Sequence, residues 1–209
     1  MKLYLSSYRI PTVDELIKLI GKPLGSTRLA LIPNAKDYYA ERAWKIKVDA
    51  YVNYFVSLGI TVDVVDLRTL NNSEEVINRL KDNDIVWGAG GNTFCLRYEM
   101  RRSNFETAIK LLLEDGMVYA GDSAGALVAG QQIGGLGIET VDTPEFAESI
   151  ITEGLGLIPH IIIPHADNPE FASITDALRI SPDYNKVIEL KDSQAVIFEN
   201  AKYRIVQDK

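Results

Sequence analysis

The stretch YAGDSAGALVAGQQ, residues 119–132, decides how the rest of the chain is read. An apolar run (Met117, Val118, Tyr119) leads into Gly121-Asp122-Ser123-Ala124-Gly125, and a helix-like run (Ala126, Leu127, Val128) follows. Gly121 to Gly125 fit the pattern G-x-S-x-G. In a nucleophile elbow the serine sits on a sharp strand-to-helix turn, and the glycines let two chain segments pass closely. The same five residues also serve as a plain tight connection. The flanking strand and helix patterns favour the elbow, with the Ala124 amide and the following helix start as donors to an oxyanion.

Working outward, short apolar runs alternate with amphipathic stretches. Strands are predicted over residues 2–7, 27–35, 61–67, 84–91 and 117–121. Helices are predicted between them: 12–20, opened by Thr12 with Glu15 three residues on; 37–59, closed by Gly59; 73–80, capped by Ser73; and 92–104 and 105–116. After Ser123 the pattern loosens, and residues 133–148 read as loop. A strand over 161–165, a helix over 168–178 and short strands at 186–190, 194–200 and 202–206 close the chain. This alternation predicts an α/β protein with a mostly parallel sheet and helices on both faces, as one domain over residues 1–209.

The bulk composition narrows the function. The 209 residues carry a net charge of −7 without a long basic run, against nucleic acid or an anionic membrane surface as partner. No apolar stretch reaches the ~18–20 residues of a membrane span, and the N-terminus has no signal-peptide pattern, so the expected location is the cytoplasm. The single cysteine, Cys95, excludes an internal disulfide. Two histidines and one cysteine without ligand spacing make no zinc pattern, and no cofactor is expected. A homodimer is an option the sequence leaves open.

In open α/β sheets, ligands bind beyond the carboxyl ends of the strands. Asn34 and Ala35, Gly88 to Asn92, Gly121 to Gly125 and His165 to Asn168 therefore come under scrutiny. A nucleophilic serine needs a base, and only His160 and His165 are available. They bracket Ile161 to Ile163, and five residues of strand span ~16 Å at ~3.3 Å each, so only one can share a rim with Ser123. Ser123 follows its strand, and His165 follows its own; His160 is expected to be structural. The third group is drawn from Asp142, Asp167, Glu189 and Asp192. Asp167 precedes Asn168-Pro169-Glu170 and reads as a helix cap, Glu189 lies inside a strand, and spacing alone does not separate Asp142 from Asp192.

The segment Gly88-Ala89-Gly90-Gly91-Asn92-Thr93 follows a strand and opens a helix. A dinucleotide fingerprint would need glycine at Thr93, so the loop fits better as the second wall of an oxyanion hole. Gly90, Gly91 and Ala124 are the expected donors, and Asn92 and Asp122 the expected substrate contacts. Cys95, one turn into the helix, is expected to be packed rather than reactive.

Four motifs together, VWGAGGNTFCL, GDSAGALVAG, GLGLIPHIIIPHAD and VIELKDSQAV, resemble the peptidase E family of aspartyl dipeptidases and cyanophycinase-like relatives, in the same order and over nearly the whole chain. The resemblance implies a fold related to class I glutamine amidotransferases, with serine replacing their cysteine. Ser123 then matches the nucleophile, His165 the base and Asp192 the acid, where the dipeptidases carry glutamate. Asp142, in a D-x-P segment, stands second for the acid. Gly90 and Gly91 match the loop lining the oxyanion hole. The implied activity is hydrolysis of small peptides through an acyl-enzyme; hydrolysis of a non-peptide ester or amide, and a binding protein that has lost catalysis, are the alternatives. The dipeptidases carry tryptophan where this chain has Asp122, and an arginine downstream of the serine that this chain lacks. An acidic substrate is therefore not implied.

Overall fold

The computed structural model describes residues 1–135, 137–180, 184–200 and 202–207. Its centre is a seven-stranded sheet in the order β3-β2-β4-β5-β1-β8-β9. The strands β1 (Lys2–Ser6), β2 (Arg28–Ile32), β3 (Thr61–Val64), β4 (Ile85–Gly88) and β5 (Val118–Asp122) run parallel, while β8 (Gln194–Glu199) and β9 (Lys202–Gln207) add on antiparallel. Of the parallel strands, β1, β2, β4 and β5 are almost wholly buried because both faces are covered, and they read as largely apolar runs for that reason; β3, at the sheet edge, is only partly buried and carries Thr61 and Asp63.

Side-chain alternation divides the core into two layers. Leu3, Leu5, Ala30, Ile32, Val86 and Tyr119 face one side, packed under α3 (Ser73–Leu80), α4 (Thr93–Arg102) and α5 (Phe105–Glu114). Tyr4, Leu29, Leu31, Trp87 and Ala120 face the other, under α1 (Val13–Ile20) and α2 (Glu41–Ser57). The period of two along each strand thus sends consecutive residues to different layers.

Several local expectations are corrected. Asn72, not Ser73, caps α3, its side chain accepting the Glu75 N–H. Thr12 precedes α1 but makes no side-chain cap; its hydroxyl bonds to Tyr4 Oη instead. The long helix starts at Glu41 rather than at residue 37. The strand before His165 is only β6 (Ile161–Ile163), and it pairs with β7 (Val187–Glu189) in a separate two-stranded parallel sheet. The loop of residues 133–148 contains two short 3₁₀ turns, Ile138–Thr140 and Pro144–Phe146, while its Leu136 lies outside the described residues.

The register fixes what meets at the rim. Ser6, the last residue of β1, lies between Asp122 at the end of β5 and Ala195 near the start of β8. Because β8 runs antiparallel, its start shares a rim with the ends of β1 and β5. Residues after β5, after β1 and before β8 therefore sit side by side.

Candidate active site

Ser123 follows β5 with φ 52° and ψ −115°, a conformation that residues other than glycine rarely adopt. Such strain persists only where surrounding contacts over-determine it. Here the Ser123 N–H donates to Ser6 O and Ser7 O, and Ser123 O accepts the N–H groups of Ala126 and Leu127. The elbow also requires bare backbone at Gly125: a Cβ there would stand 2.0 Å from Gly88 O. The short helix α6 (Ala124–Leu127) can cross the ends of β4 and β5 this closely only with glycine at position 125.

Ser123 Oγ lies 3.0 Å from His165 Nε2, and His165 Nδ1 lies 2.5 Å from Asp192 Oδ1. An ionised carboxylate only accepts, so the ring proton sits on Nδ1 and Nε2 is left to accept from the serine. The imidazole is held on several sides. Its ring centroid is 4.8 Å from that of Phe171, and the His165 N–H donates to Ser7 Oγ at 2.7 Å. His165 also has positive φ, 59°. The Ser7 hydroxyl donates in turn to Asp192 Oδ1, and the Asp192 N–H donates to Asp167 Oδ1 at 3.0 Å. Asp167, expected as a cap, is thus a tether for the loop bearing Asp192; the cap of the following turn is Asn168.

The other acids stand elsewhere. Asp142 accepts the Thr93 N–H through Oδ2, and burial pushes its carboxyl above the ordinary range. It is close enough to feel the charge of His165 but makes no hydrogen bond to it. Glu189 turns away to Arg179 and Tyr184. His160 packs against Phe198 and Tyr203, apart from Ser123.

Three expectations about the rim change. The Gly90 N–H donates to Tyr51 Oη at 2.9 Å, so it is not a free donor. Among the described residues, the N–H groups of Gly91 and Ala124 have no acceptor, which leaves those two for an oxyanion. Gly91 holds φ +144°, and a Cβ on it would fall 2.3 Å from Ala35 O. Asp122 does not offer its charge to a ligand: it is 2% exposed, and its two oxygens accept from Tyr51 Oη and Trp87 Nε1, both at 2.8 Å. Asn92 is likewise engaged, capping α4 through the Cys95 N–H and donating to Thr143 O. Cys95 is buried, and burial pushes its thiol up to about 12, far from a reactive thiolate.

Sequence reasoning missed Ser7, Tyr51 and Trp87. Ser7 was open to the strand-end rule, since it follows β1 directly. Tyr51 and Trp87 gave no local cue, because each meets Asp122 across a long stretch of chain. Among the described residues no cluster of His, Cys, Asp and Glu suits a metal ion, and no helix is long and apolar enough to cross a membrane.

A covered parallel sheet with a strained serine at a strand end, bonded through histidine to a carboxylate, has the build of an α/β serine hydrolase. The chain belongs to peptidase family S51, a family of serine peptidases whose sequence profile matches residues 4–206. Its relatives include an uncharacterized peptidase of Listeria innocua, 33% identical over 147 residues, covering 68% of this chain and 66% of that one. An uncharacterized peptidase of Pasteurella multocida is 26% identical over 99% of this chain and 97% of its own. Peptidase E of a Shewanella species is 29% identical over 74% of this chain and 65% of its own. The match thus spans slightly under two thirds of the Listeria innocua and Shewanella proteins. In fold, a crystal structure of a peptidase E candidate from Listeria monocytogenes superposes with a TM-score of 0.82 at 23% identity, over 100% of this chain and 98% of that one. A peptidase from an acI-B1 Actinobacterium follows at 0.74 and 19%, over 99% and 87%.

Proposed function

We propose that the protein is a serine peptidase that hydrolyses short peptides through an acyl-enzyme, with Ser123 as nucleophile, His165 as base and Asp192 as the acid that orients it. The observation that carries this reading is the continuous bonding path from Ser123 Oγ to His165 Nε2 and from His165 Nδ1 to Asp192 Oδ1, starting at a serine held at positive φ.

In this mechanism Ser123 Oγ attacks the peptide carbonyl while its proton passes to His165 Nε2. Asp192 stabilises the imidazolium through Nδ1–H. Negative charge forms on the former carbonyl oxygen, and the free N–H groups of Gly91 and Ala124 receive it. The imidazolium then protonates the departing amine. Water, deprotonated by His165, attacks the acyl ester, and the acid product leaves with Ser123 restored.

A fluorophosphonate probe followed by peptide mass mapping tests the nucleophile. A covalent adduct on Ser123, absent in Ser123→Ala, is expected, together with hydrolysis in a panel of di- and tripeptides. Labelling without peptide turnover but with ester turnover would replace the peptidase by an esterase. No labelling and no turnover would leave a binding protein of the same fold.

A further inference from the structure

Helices α4 and α5, with the segment of Gly154 and Leu155, border a cleft of about 460 Å³. Three cations line it, Arg97, Arg101 and Lys110, against one carboxylate, Glu106. Among the described residues none of these four side chains bonds to Ser123, His165 or Asp192. The cleft is therefore separate from the serine and its partners.

The cations are held very differently. Arg97 is only 1% exposed. Its Nε donates to Glu153 O at 2.8 Å, and its Nη2 donates to Gly154 O at 3.3 Å and to Glu106 Oε2. Its Nη1 is buried with no partner. Burial pushes this guanidinium below its usual range, and the like charge of Arg101 adds to the effect. Arg101 is exposed and pairs through Nε with Glu106 Oε1 at 2.9 Å. Lys110, one helical turn after Glu106, is exposed and makes no ion pair among the described residues. The Thr107 hydroxyl, on the same cleft, makes no hydrogen bond among them either.

One carboxylate does not serve three cations. Each Glu106 oxygen is already taken, one by each arginine. Glu153 is exposed and adds a field at Arg97, but its side chain makes no bond there. The cleft wall thus carries two positive charges in excess, on a chain whose net charge is −7. As a staple between α4, α5 and the Gly154 segment, Arg97 needs only Nε and Nη2. A staple explains neither the idle Nη1, which is costly when buried, nor the gathering of Arg101 and Lys110 on the same cleft.

The excess charge and the spare donors define the ligand. A phosphomonoester brings a charge of about −1.5 to −2 near neutral pH and three strong acceptor oxygens. That matches two excess charges and donors on three separate side chains, whereas a carboxylate brings one charge and two oxygens. The volume lies within the range of about 300–1,000 Å³ for small organic ligands, and Leu111 and Leu155 make part of the wall apolar. We propose that Arg97, Arg101 and Lys110 form a binding site for a small phosphomonoester. Arg97 is its fixed, buried charge, Arg101 and Lys110 close on the phosphoryl oxygens, and the apolar wall takes the organic body. The site stands whether or not Ser123 hydrolyses peptides.

Calorimetric titration of the full chain with phenyl phosphate and with benzoate tests this, at fixed ionic strength because exposed charge pairs are screened by salt. The two probes share a ring and differ in the anion. We expect saturable binding of phenyl phosphate at one site, tighter than benzoate by roughly tenfold, since the phosphoryl group adds both charge and an acceptor. Lys110→Gln and Arg101→Gln should each weaken it by roughly threefold to tenfold, the scale of a partly exposed charged contact. Lys110→Arg should keep it, and Ser123→Ala should bind as the parent does. Lys110→Gln carries the test if the Arg101 variant does not fold, because Lys110 makes no bond that the fold would lose. No saturable binding overturns the site. So does binding untouched by Lys110→Gln and Arg101→Gln, which would put the anion elsewhere, at the free amides of Gly91 and Ala124 for example. Benzoate bound as tightly as phenyl phosphate would overturn the phosphoryl assignment.

Discussion

The Ser7 hydroxyl donates to Asp192 Oδ1 at 2.9 Å, and it accepts the His165 N–H at 2.7 Å. One side chain therefore fixes both the base and the acid. The need is physical: the Asp192 side chain is 49% exposed, so the imidazole alone would hold it loosely against water. Ser7 itself is wholly buried after β1, between the loops of Ser123 and Asp192. Ser7→Ala should lower kcat by roughly tenfold with little change in KM, because it removes one hydrogen bond to a charged group that is partly screened by solvent. Steady-state kinetics on any peptide the protein turns over checks this. An unchanged kcat would mean that Asp192 is positioned without Ser7.

The acids should separate cleanly. Asp192→Asn should reduce turnover by up to about 10⁴-fold, the scale seen when the acid of a Ser-His-Asp set is lost. Glu189→Gln should leave turnover within a factor of a few, since its partners are Arg179 and Tyr184. Asp142→Asn should act more on KM than on kcat, because its carboxylate holds the Thr93 amide rather than the imidazole. A loss in Asp142→Asn equal to that in Asp192→Asn would move the acid to Asp142.

What the sequence made legible was local. Gly121 to Gly125 announced the elbow, and His165 was separable from His160 because a strand has two ends. The alternation of apolar runs gave the parallel core, since strands buried on both faces need no polar positions. Asp192 and Asp142 stayed equivalent on spacing. What separates them is that β8 runs antiparallel beside β1, which brings its starting turn to the rim of Ser123. No pattern within a short window encodes that pairing. The same limit hid Tyr51 and Trp87, which approach Asp122 from 71 and 35 residues away. It also made Asp122 look like a free charge at the mouth of the site.

The buried carboxylate of Asp122 gives a stability prediction. Tyr51→Phe leaves one of its oxygens and the Gly90 N–H without partners, which should cost about 2–4 kcal/mol. Trp87→Phe should cost a similar amount, from the other lost donor and the smaller ring. The two should be non-additive by about 0.5–3 kcal/mol, because they share one acceptor group. Urea unfolding of the two single variants and the double variant measures this coupling. Simple additivity would show that Asp122 finds other donors once either is removed.

His160 offers a test of stability against pH. Burial pushes its imidazole below the ordinary value of 6.5, and its Nδ1 is buried without a partner. The unfolded chain therefore takes up a proton at this residue at a higher pH than the folded one does. Stability is complete above the unfolded value and falls as the pH drops through it toward the lower folded value. Asp142 works in the opposite direction and lower down: its carboxyl is raised from 3.8, so the folded state holds the extra proton there and acidification through that range favours folding. A comparison between about pH 7.5 and about pH 5.5 isolates the histidine when the same shift is measured in His160→Gln, since Asp142 contributes equally to both proteins. The urea midpoint of the parent should fall between these pH values by more than that of the variant, although the variant is less stable throughout for want of ring packing on Phe198 and Tyr203. Parallel pH profiles would mean that His160 takes up its proton in the folded state as readily as in the unfolded one, and that its packing leaves it open to water.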